Sequence, residues 1–281
     1  MTLVPPASSR LLRRSRARVA GAILAGLRRF PLDVLSIVKS DLRPVGRLDY
    51  GPRRIDMAVN SPWQMYRLRS CAKEPETVQW LESVLRPEDT FYDIGANVGA
   101  YSLVAFAVTG GKARVIAFEP GFGTFAELCR NIHLNHAEES ITPLAIALSD
   151  RTGLASFRYS ETTPGAALHN WDASAPGETH APELVLPTMS YRLDDLIAAL
   201  DLPPPTLLKL DVDGPELEVL AGAEHTLADP SLRSCIVELD MRSHVYADAV
   251  AHLERKGFRV ESRHVRGGEE GPLHNVIFAR A

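Results

Sequence analysis

The sequence predicts an α/β protein with a doubly wound parallel sheet of seven strands and an N-terminal helical extension. From residue 90 onwards, short apolar runs typical of buried strands alternate with longer runs of helical periodicity. The first apolar run ends in an acid and passes through a glycine turn into a helical pattern, in the stretch FYDIGANVGAYS. Since doubly wound sheets bind ligands at the carboxyl ends of their strands, we expect functional residues to follow the strands.

The length and composition fit one large domain with extensions. The 281 residues, 45% of them apolar, are enough to bury a sizeable core. The three cysteines are odd in number and far apart in sequence, so we expect neither a disulfide framework nor a zinc cluster, and a cytoplasmic location is predicted. No apolar stretch of the sequence reaches the ~20 residues that a membrane-spanning helix needs.

The charge is divided unevenly along the chain. Residues 1–54 contain 12 Lys and Arg against 3 Asp and Glu, whereas the remaining residues contain 19 against 32. The basic segment combines an arginine-rich start with the apolar run Val19–Leu27. It fits an amphipathic helix on an anionic membrane, a targeting presequence, or a solvated and partly disordered extension, and these alternatives stay open.

Three regions are predicted along the chain. Residues 1–54 form the basic N-terminal extension, residues 55–88 an accessory cap, and residues 89–281 the main domain, with a substrate-side insertion at 150–205. In the cap, Glu76–Leu85 has apolar residues at helical spacing. A cap in this position can close over a substrate, although packing against the core is the more common role.

The strands and helices of the main domain follow from the alternating pattern. The predicted strands are Thr90–Asp93, Arg114–Phe118, Thr142–Leu148, Leu207–Asp211, Cys235–Leu239, Phe258–Glu261 and Asn275–Ala279. The predicted helices are Tyr101–Val108, Gly123–Asn135, Leu193–Ala199, Pro215–Ala221 and Tyr246–Lys256. The insertion interrupts the alternation with a predicted hairpin at Thr152–Tyr159 and a long loop at Thr162–Pro182, and a loop of that length is usually functional or disordered.

The glycine turn carries information about the ligand. Gly95 and Gly99 allow the backbone to bend and to approach a ligand closely. Asp93 at the strand tip would repel a pyrophosphate, but it suits a ligand with positive charge, such as the ammonium and sulfonium groups of S-adenosylmethionine. The dinucleotide fingerprint G-x-G-x-x-G requires glycine where Asn97 stands. The turn therefore favours S-adenosylmethionine over a nicotinamide dinucleotide.

Two further strand ends carry acids that suit a nucleoside. Glu119 closes the second strand, about 20 residues after the glycine turn, where nucleotide-binding α/β folds place a carboxylate for the ribose hydroxyls. Asp150 follows the third strand, where a carboxylate can accept the exocyclic amine of adenine. Together with the glycine turn, these acids strengthen the prediction of S-adenosylmethionine.

The stretch LLKLDVDGPELEVLAGA, residues 207–223, holds a second group of charged residues. On an extended strand, Lys209, Asp211 and Asp213 share one face. A lysine flanked by two acids is most simply a buried ion pair on the crevice floor, and this interpretation is favoured over a divalent metal site formed with Glu238. We therefore predict no metal ligands, and we expect Asp213 to cap the helix that follows.

Several blocks of the sequence together resemble one known family. The blocks DIGANVGAYS, VIAFEPGFGTFAELCRNIHLN, ALSDRTGLASF, KLDVDGPELEVLAGAEHTL and IVELD look like the FkbM family of S-adenosylmethionine-dependent methyltransferases, in matching order over residues 77–240. The resemblance implies the Rossmann-like, seven-stranded fold of class I methyltransferases, with S-adenosylmethionine as cofactor. It also implies a small-molecule acceptor, most often a hydroxyl on a sugar or other secondary metabolite.

The resemblance assigns cofactor-binding positions in this sequence. Those at the methionine end of the cofactor are Asp93, Gly95, Asn97 and Gly99. Glu119 would bind the ribose, and Asp150 the adenine. Asp213 stands where the family commonly has glutamate, so its carboxylate is one methylene shorter and a catalytic role for it is in doubt.

Methyl transfer to a hydroxyl depends mainly on holding the reactants in line, and a base helps by taking the proton. We expect that base near the ends of the fourth and fifth strands, for positional reasons alone. Asp211 is the first candidate, and the others are Asp213, Glu238 and His244. His169 and His180, in the long loop, are weaker candidates.

Two alternative functions stay open at this point. A nucleotide-dependent oxidoreductase on a similar sheet is disfavoured by Asn97 and Asp93. A non-catalytic, partner-binding protein that keeps the fold is disfavoured by the intact strand-end acids. Nucleic-acid binding is unsupported because the main domain is acidic, whereas the basic extension allows peripheral contact with a membrane. The sequence does not specify the acceptor or the oligomeric state.

Overall fold

The structure is a computed structural model that describes residues 18–166, 182–266 and 271–280. By its internal contacts the chain divides into two units, Met1–Pro44 and Val45–Ala281. In the first unit, residues 18–27 form helix α1 and Leu32–Asp41 form helix α2. The arginine-rich start of the basic extension, before residue 18, lies outside the described residues.

The second unit begins with a small hairpin and three helices. Strand β1 (Val45–Arg47) pairs antiparallel with β2 (Asp56–Ala58), and this pairing is why residues 45–54 belong to the second unit rather than to the basic extension. Helices α3 (Pro62–Arg67), α4 (Ser70–Lys73) and α5 (Pro75–Val84) follow. They occupy the region predicted as the cap.

A seven-stranded sheet forms the centre of the second unit, in the order β11-β12-β10-β9-β3-β4-β5. Its strands are β3 (Thr90–Ile94), β4 (Arg114–Phe118), β5 (Ile141–Leu144), β9 (Leu207–Leu210), β10 (Ser234–Asp240), β11 (Phe258–Val265) and β12 (Leu273–Arg280). The predicted fold class is therefore confirmed.

The expectation of a wholly parallel sheet is wrong for one strand. Strand β12 runs antiparallel to both of its neighbours, β10 and β11. The reason is the short connection between β11 and β12, since a parallel neighbour requires a crossover of a dozen or more residues.

The predicted helices are confirmed, each with ends within two residues of the prediction. Five helices correspond to the predictions, α6 (Ala100–Thr109), α7 (Phe122–Leu134), α8 (Leu193–Leu200), α9 (Glu216–Ala221) and α11 (His244–Arg255), and a sixth, α10 (Glu224–Ala228), lies between α9 and α11. Helix α10 was not predicted, because its five residues are too few to show a helical period.

A second sheet, with three strands in the order β6-β8-β7, is formed by two strands of the insertion and by β6, which lies just before it. Its strands are β6 (Ala147–Leu148), β7 (Gly153–Tyr159) and β8 (Leu184–Tyr191). The hairpin predicted within 152–159 is wrong, because β7 is one continuous strand that pairs antiparallel with β8 along its whole length. Most of the predicted long loop, including His169 and His180, lies outside the described residues.

The core lies on both faces of the central sheet, as alternate residues of β3 illustrate. Phe91 belongs to the cluster formed with α5, α6 and α7, whereas Tyr92 belongs to the cluster formed with α8, α9 and α11. Trp80 of α5 packs edge-on against Phe91, with 6.0 Å between ring centroids, and its indole N–H donates to the Ser234 hydroxyl at 2.9 Å. Helix α5 therefore packs against the sheet.

Candidate functional site

The glycine turn after β3 is held in a left-handed conformation against the end of β9. The φ angles of Gly95, Asn97 and Gly99 are 80°, 52° and 86°. A Cβ atom at Gly95 would lie 1.9 Å from the backbone oxygen of Asp211, so only glycine fits there. A Cβ atom at Gly99 would lie 2.6 Å from the Leu128 side chain, so this glycine serves the packing of α6 on α7.

Glu119 follows β4 and faces the turn. Its carboxylate accepts hydrogen bonds from the backbone N–H groups of Asn97, at 3.0 Å, and Gly121, at 2.8 Å. Only 6% of the residue is exposed. Burial raises the pKa of Glu119 to about 7, against the opposite effects of the two N–H groups and, more weakly, of Arg67.

A cavity opens at the carboxyl ends of β3, β4 and β9, at the edge where a doubly wound sheet binds its ligand. Fourteen of the described residues line it: Ile94, Gly95, Asn97, Phe118, Glu119, Pro120, Ile146, Ala147, Leu148, Phe157, Ala166, Asp211, Val212 and Asp213. The lining thus combines apolar surface with three carboxylates, Glu119 after β4 and Asp211 and Asp213 after β9.

One wall of the cavity comes from the start of the insertion. The Asn97 side-chain amide donates to the carbonyl of Ala166 at 3.0 Å, and the Ser61 hydroxyl donates to the carbonyl of Pro164 at 2.7 Å. Ser61 is the N-cap of α3, so the cap region holds this wall against the glycine turn. The sequence analysis missed the wall because its contacts join residues 69 and 103 positions apart.

Asp93 lies behind the turn rather than in the cavity. It is fully buried, accepts a hydrogen bond from the Ser102 hydroxyl at 2.6 Å, and lies 3.7 Å from the Lys209 ammonium. It does not belong to the fourteen described lining residues. Burial raises the pKa of Asp93, although Lys209 and Ser102 act in the opposite direction.

Lys209 and Asp211 form the buried ion pair that the sequence analysis favoured over a metal site. The ammonium lies 3.1 Å from a carboxylate oxygen of Asp211, and Lys209 is only 3% exposed. Burial alone would lower the pKa of Lys209, but the acids Asp211, Asp93 and Glu74 outweigh it and the pKa is raised. Among the described residues, no group of three or more acids, histidines and cysteines could hold a metal ion.

The surroundings of Asp211 favour its ionised form. Burial alone would raise its pKa, but the cations Lys209 and Arg266 more than offset this effect, so the pKa is lowered. The carboxylate therefore accepts hydrogen bonds readily but has little tendency to take a proton.

Asp213 differs from its predicted placement. Strand β9 ends at Leu210, and the φ angle of Asp213 is 53°, so the residue is not on the extended strand assumed for it. It lines the cavity instead. The N-cap position of α9 belongs to Pro215, and the backbone N–H of Gly214 donates to the Glu216 carboxylate at 2.8 Å. The predicted capping by Asp213 is therefore wrong.

The remaining predicted residues lie outside the described cavity lining. Glu238 is buried on β10 and pairs with Arg266. His244 is exposed at the first position of α11. Asp150 pairs with Arg151 at 3.3 Å, and 39% of its side chain is exposed.

Arg266 is a residue of this edge that the sequence analysis missed. It directly follows β11, and its guanidinium lies 2.6 Å from Glu74 and 3.8 Å from Asp211, in addition to its pair with Glu238. These partners come from the start of α5, the end of β9 and β10. A search for cations after the strands, alongside the search for acids, would have found it.

Comparisons with known proteins assign this chain to a family. Residues 93–260 match the model of the methyltransferase FkbM domain. The chain is 32% identical over 181 residues to the hexuronic acid methyltransferase AglP of Haloferax volcanii, which covers 64% of this chain and 68% of that protein. It is 31% identical over 200 residues to the 31-O-demethyl-FK506 methyltransferase FkbM of Streptomyces tacrolimicus, which covers 63% of this chain and 75% of that protein.

The chain is also similar to solved structures, at lower sequence identity. The methyltransferase FkbM from Methylobacillus flagellatus aligns with a TM-score of 0.49 and 17% sequence identity, over 77% of this chain and 52% of that chain. The magnesium protoporphyrin IX methyltransferase from Synechocystis aligns with a TM-score of 0.46 and 16% identity, over 79% of this chain and 85% of that chain.

The raised pKa of Glu119 predicts a specific dependence of stability on pH. The folded state binds the Glu119 proton more tightly than the unfolded state, so the free energy of unfolding should fall as pH rises from the ordinary glutamate range through about 7. In Glu119→Gln this contribution should disappear, which would flatten the pH dependence by about 2 kcal/mol between pH 5.5 and 8.0. Urea unfolding at pH 5.5 and 8.0 measures it.

The two proteins are compared by the change in their free energy of unfolding between the two pH values, not by its absolute value. Glutamine has one acceptor oxygen fewer for the two N–H groups, so the substitution also lowers the absolute stability at both pH values. Glu216, whose pKa burial also raises to about 7, contributes equally to both proteins and does not affect the difference. Identical slopes for the wild type and Glu119→Gln would contradict the prediction.

Proposed function

This chain belongs to the FkbM methyltransferase family, and from that premise we propose that it methylates a hydroxyl group of a sugar or secondary metabolite. It is an S-adenosylmethionine-dependent methyltransferase. The observation that carries the proposal is the cavity that brings the Glu119 and Asp211 carboxylates to one edge of the sheet. The choice of acceptor is supported by two relatives, one named for a hexuronic acid and one for 31-O-demethyl-FK506. The oxidoreductase and the non-catalytic protein are not favoured.

The cavity residues fit the cofactor. S-adenosylmethionine supplies an activated methyl group when it is bound. We propose that Glu119 accepts the ribose hydroxyls and that the apolar side chains of Leu148 and Phe157 contact the adenine. Gly95 and Asn97 would hold the methionine end, since both line the cavity.

Three of the predicted cofactor residues, Asp93, Gly99 and Asp150, lie outside the described cavity lining, and separate roles are proposed for them. Asp93 would act by holding Lys209, because it is buried behind the turn. Gly99 would act through its close packing on Leu128. For Asp150 the proposal of adenine binding is retained because it lies two residues after β6, whose residues Ala147 and Leu148 line the cavity.

The ionisation of Asp211 shapes the proposed mechanism. Its lowered pKa makes it a weak base, but a fixed carboxylate on the cavity wall can accept a hydrogen bond from the acceptor hydroxyl and orient its oxygen. We propose this orienting role for Asp211, with proton removal as its secondary role. Asp213 also lines the cavity and is the next candidate. Glu238 and His244 are less favoured because both lie outside the described lining.

A cytoplasmic location is supported by the cysteines. Cys71 and Cys235 are buried, and burial raises the pKa of each thiol to about 12, so both stay protonated and unreactive. A reducing compartment suits buried thiols of this kind.

We also propose peripheral contact between the first unit and an anionic membrane. On α1, Val19, Ile23 and Leu24 share one side and are 55–60% exposed, while Arg18 projects from the other side. None of the residues of α2 is buried, and Leu32 is 84% exposed. Exposed apolar side chains flanked by arginines are typical of a helix that lies in the headgroup region. Every helix among the described residues is too short or too polar to span a bilayer.

The acceptor is tested by incubating the purified chain with methyl-labelled S-adenosylmethionine and a panel of hexoses, hexuronic acids and macrolides. We expect label in a small-molecule product that survives mild alkali, because a methyl ether is stable there whereas a methyl ester is hydrolysed. Alkali-labile label would move the acceptor atom from a hydroxyl to a carboxylate. Label in none of the acceptors would count against the proposed substrate class.

The role of Asp211 is tested by Asp211→Asn at saturating cofactor and acceptor. Asparagine keeps the size and one acceptor oxygen but removes the charge, so we expect kcat to fall about 100-fold or more. Glu238→Gln, which also removes a buried strand-end charge, is the matched comparison and should lower kcat less. Near-normal turnover by Asp211→Asn would remove this residue from the mechanism.

The membrane contact is tested by co-sedimentation with vesicles of phosphatidylcholine, with and without phosphatidylglycerol. We expect binding that requires phosphatidylglycerol and weakens with salt. The double variant Ile23→Ser with Leu24→Ser should bind about tenfold more weakly. Leu154→Ser, a change at a 75%-exposed leucine of the second unit, is the control and should bind like the wild type. Equal binding by all three proteins would contradict the proposal.

A further inference from the structure

Arg266 connects three separate parts of the second unit at its ligand-binding edge. Its guanidinium contacts Glu74 at the start of α5, Asp211 at the end of β9, and Glu238 on β10. Sheet order places β12 and β10 between β11 and β9, so the contact with Asp211 requires the chain to turn across the carboxyl edge after Val265. Both Arg266 and Glu74 lie outside residues 93–260, the part that matches the family model.

The contacts fix the carboxylate of Asp211 from two sides. One oxygen lies 3.1 Å from the Lys209 ammonium, and the other lies 3.8 Å from the Arg266 guanidinium. Lys209 is in turn held by Asp93, 3.7 Å away. A carboxylate with a different cation at each oxygen has little freedom to rotate, so its orientation towards the cavity is determined.

The same guanidinium anchors the cap region. Glu74 is 2% exposed, and it pairs with Arg266 at 2.6 Å and with the neighbouring Lys73 at 3.0 Å. Next to this pair, the Tyr101 hydroxyl donates to the carbonyl of Ser70 at 3.0 Å. The start of α5 and helix α4 are therefore tied to the strand ends by polar contacts with little exposure to water.

We propose that Arg266 is a positioning residue that clamps the cap to the strand ends and holds the Asp211 carboxylate in the orientation that receives the acceptor hydroxyl. This inference rests on the proposed function. Removal of the Arg266 charge frees one oxygen of Asp211 and leaves Glu74 and Glu238 buried without their shared cation. Turnover should then fall through Asp211, while cofactor binding by Glu119 and the glycine turn should change little.

The test is a double-mutant cycle between Arg266→Gln and Asp211→Asn, with kcat measured at saturating cofactor and acceptor. Arg266→Gln alone should lower kcat about 100-fold, as expected for a misplaced reacting group. In the Asp211→Asn background the same change should lower kcat less than about threefold, because the residue through which it acts is already lost. Arg266→Lys, which keeps the charge but not the fork, should recover part of the activity.

Arg233→Gln is the matched control, since Arg233 makes a similar ion pair with Asp89 at 2.6 Å, at the opposite edge of the same sheet, just before β10 and β3. It should lower thermal stability to a similar extent but leave kcat unchanged in both backgrounds. Equal losses from Arg266→Gln in the two backgrounds, or an equal loss from Arg233→Gln, would overturn the positioning role and leave Arg266 as a structural residue.

Hydrogen exchange separates failure of this inference from failure of the proposed function. With no acceptor present, Arg266→Gln should raise exchange in residues 70–77 more than Arg233→Gln does. If the wild type methylates none of the acceptors but this difference is seen, the clamp is supported and the proposed substrate class is not. No difference in exchange between the two variants would overturn the clamp.

Discussion

A lysine buried in the central sheet determines the arrangement of the charges around it. Lys209 pairs in register with Asp93 of the neighbouring strand, so its ammonium lies at the boundary between β3 and β9. Leaving a buried cation without its partner destabilises a protein by about 3–5 kcal/mol, so the Lys209 ammonium needs acids close to it. Asp93 and Asp211 provide them, and Ser102 satisfies a further oxygen of Asp93.

The glycine turn and the end of β9 are tied to this ion pair by close packing. The backbone oxygen of Asp211 fills the space where Gly95 would carry a Cβ atom, so the turn and the strand end have a fixed separation. The carboxylate of Glu119 accepts a hydrogen bond from the backbone N–H of Asn97, which belongs to the same turn as Gly95. The proposed cofactor side and the proposed acceptor side of the cavity therefore meet at one close backbone contact, between Gly95 and Asp211, which does not depend on the orientation of the Asp211 side chain.

Sequence reasoning found what depends on local pattern and missed what depends on distant pairing. Strand β4 was predicted with its observed bounds because its apolar run is continuous, as a strand buried on both faces requires. The same double burial concealed the placement of Asp93, since in such a strand either face can be interior and the pattern does not say which way the acid points. The partner of β7 begins 25 residues after that strand ends, and Arg266 meets Glu74 across 192 positions, so neither contact has a local signal.

Burial acts in the same direction on Glu119 and Asp211, yet the two carboxylates end in opposite states. Around Glu119 the opposing groups are mainly backbone N–H dipoles, which are too weak to offset desolvation, and its pKa rises to about 7. Around Asp211 they are full cations, Lys209, Arg266 and Lys73, and its pKa falls. An acid with a raised pKa suits the neutral hydroxyls of a ribose, whereas an ionised one gives an acceptor hydroxyl a fixed hydrogen-bond partner and faces a cofactor that carries positive charge. The distribution of cations along one sheet edge, rather than the acids themselves, therefore separates the two proposed roles.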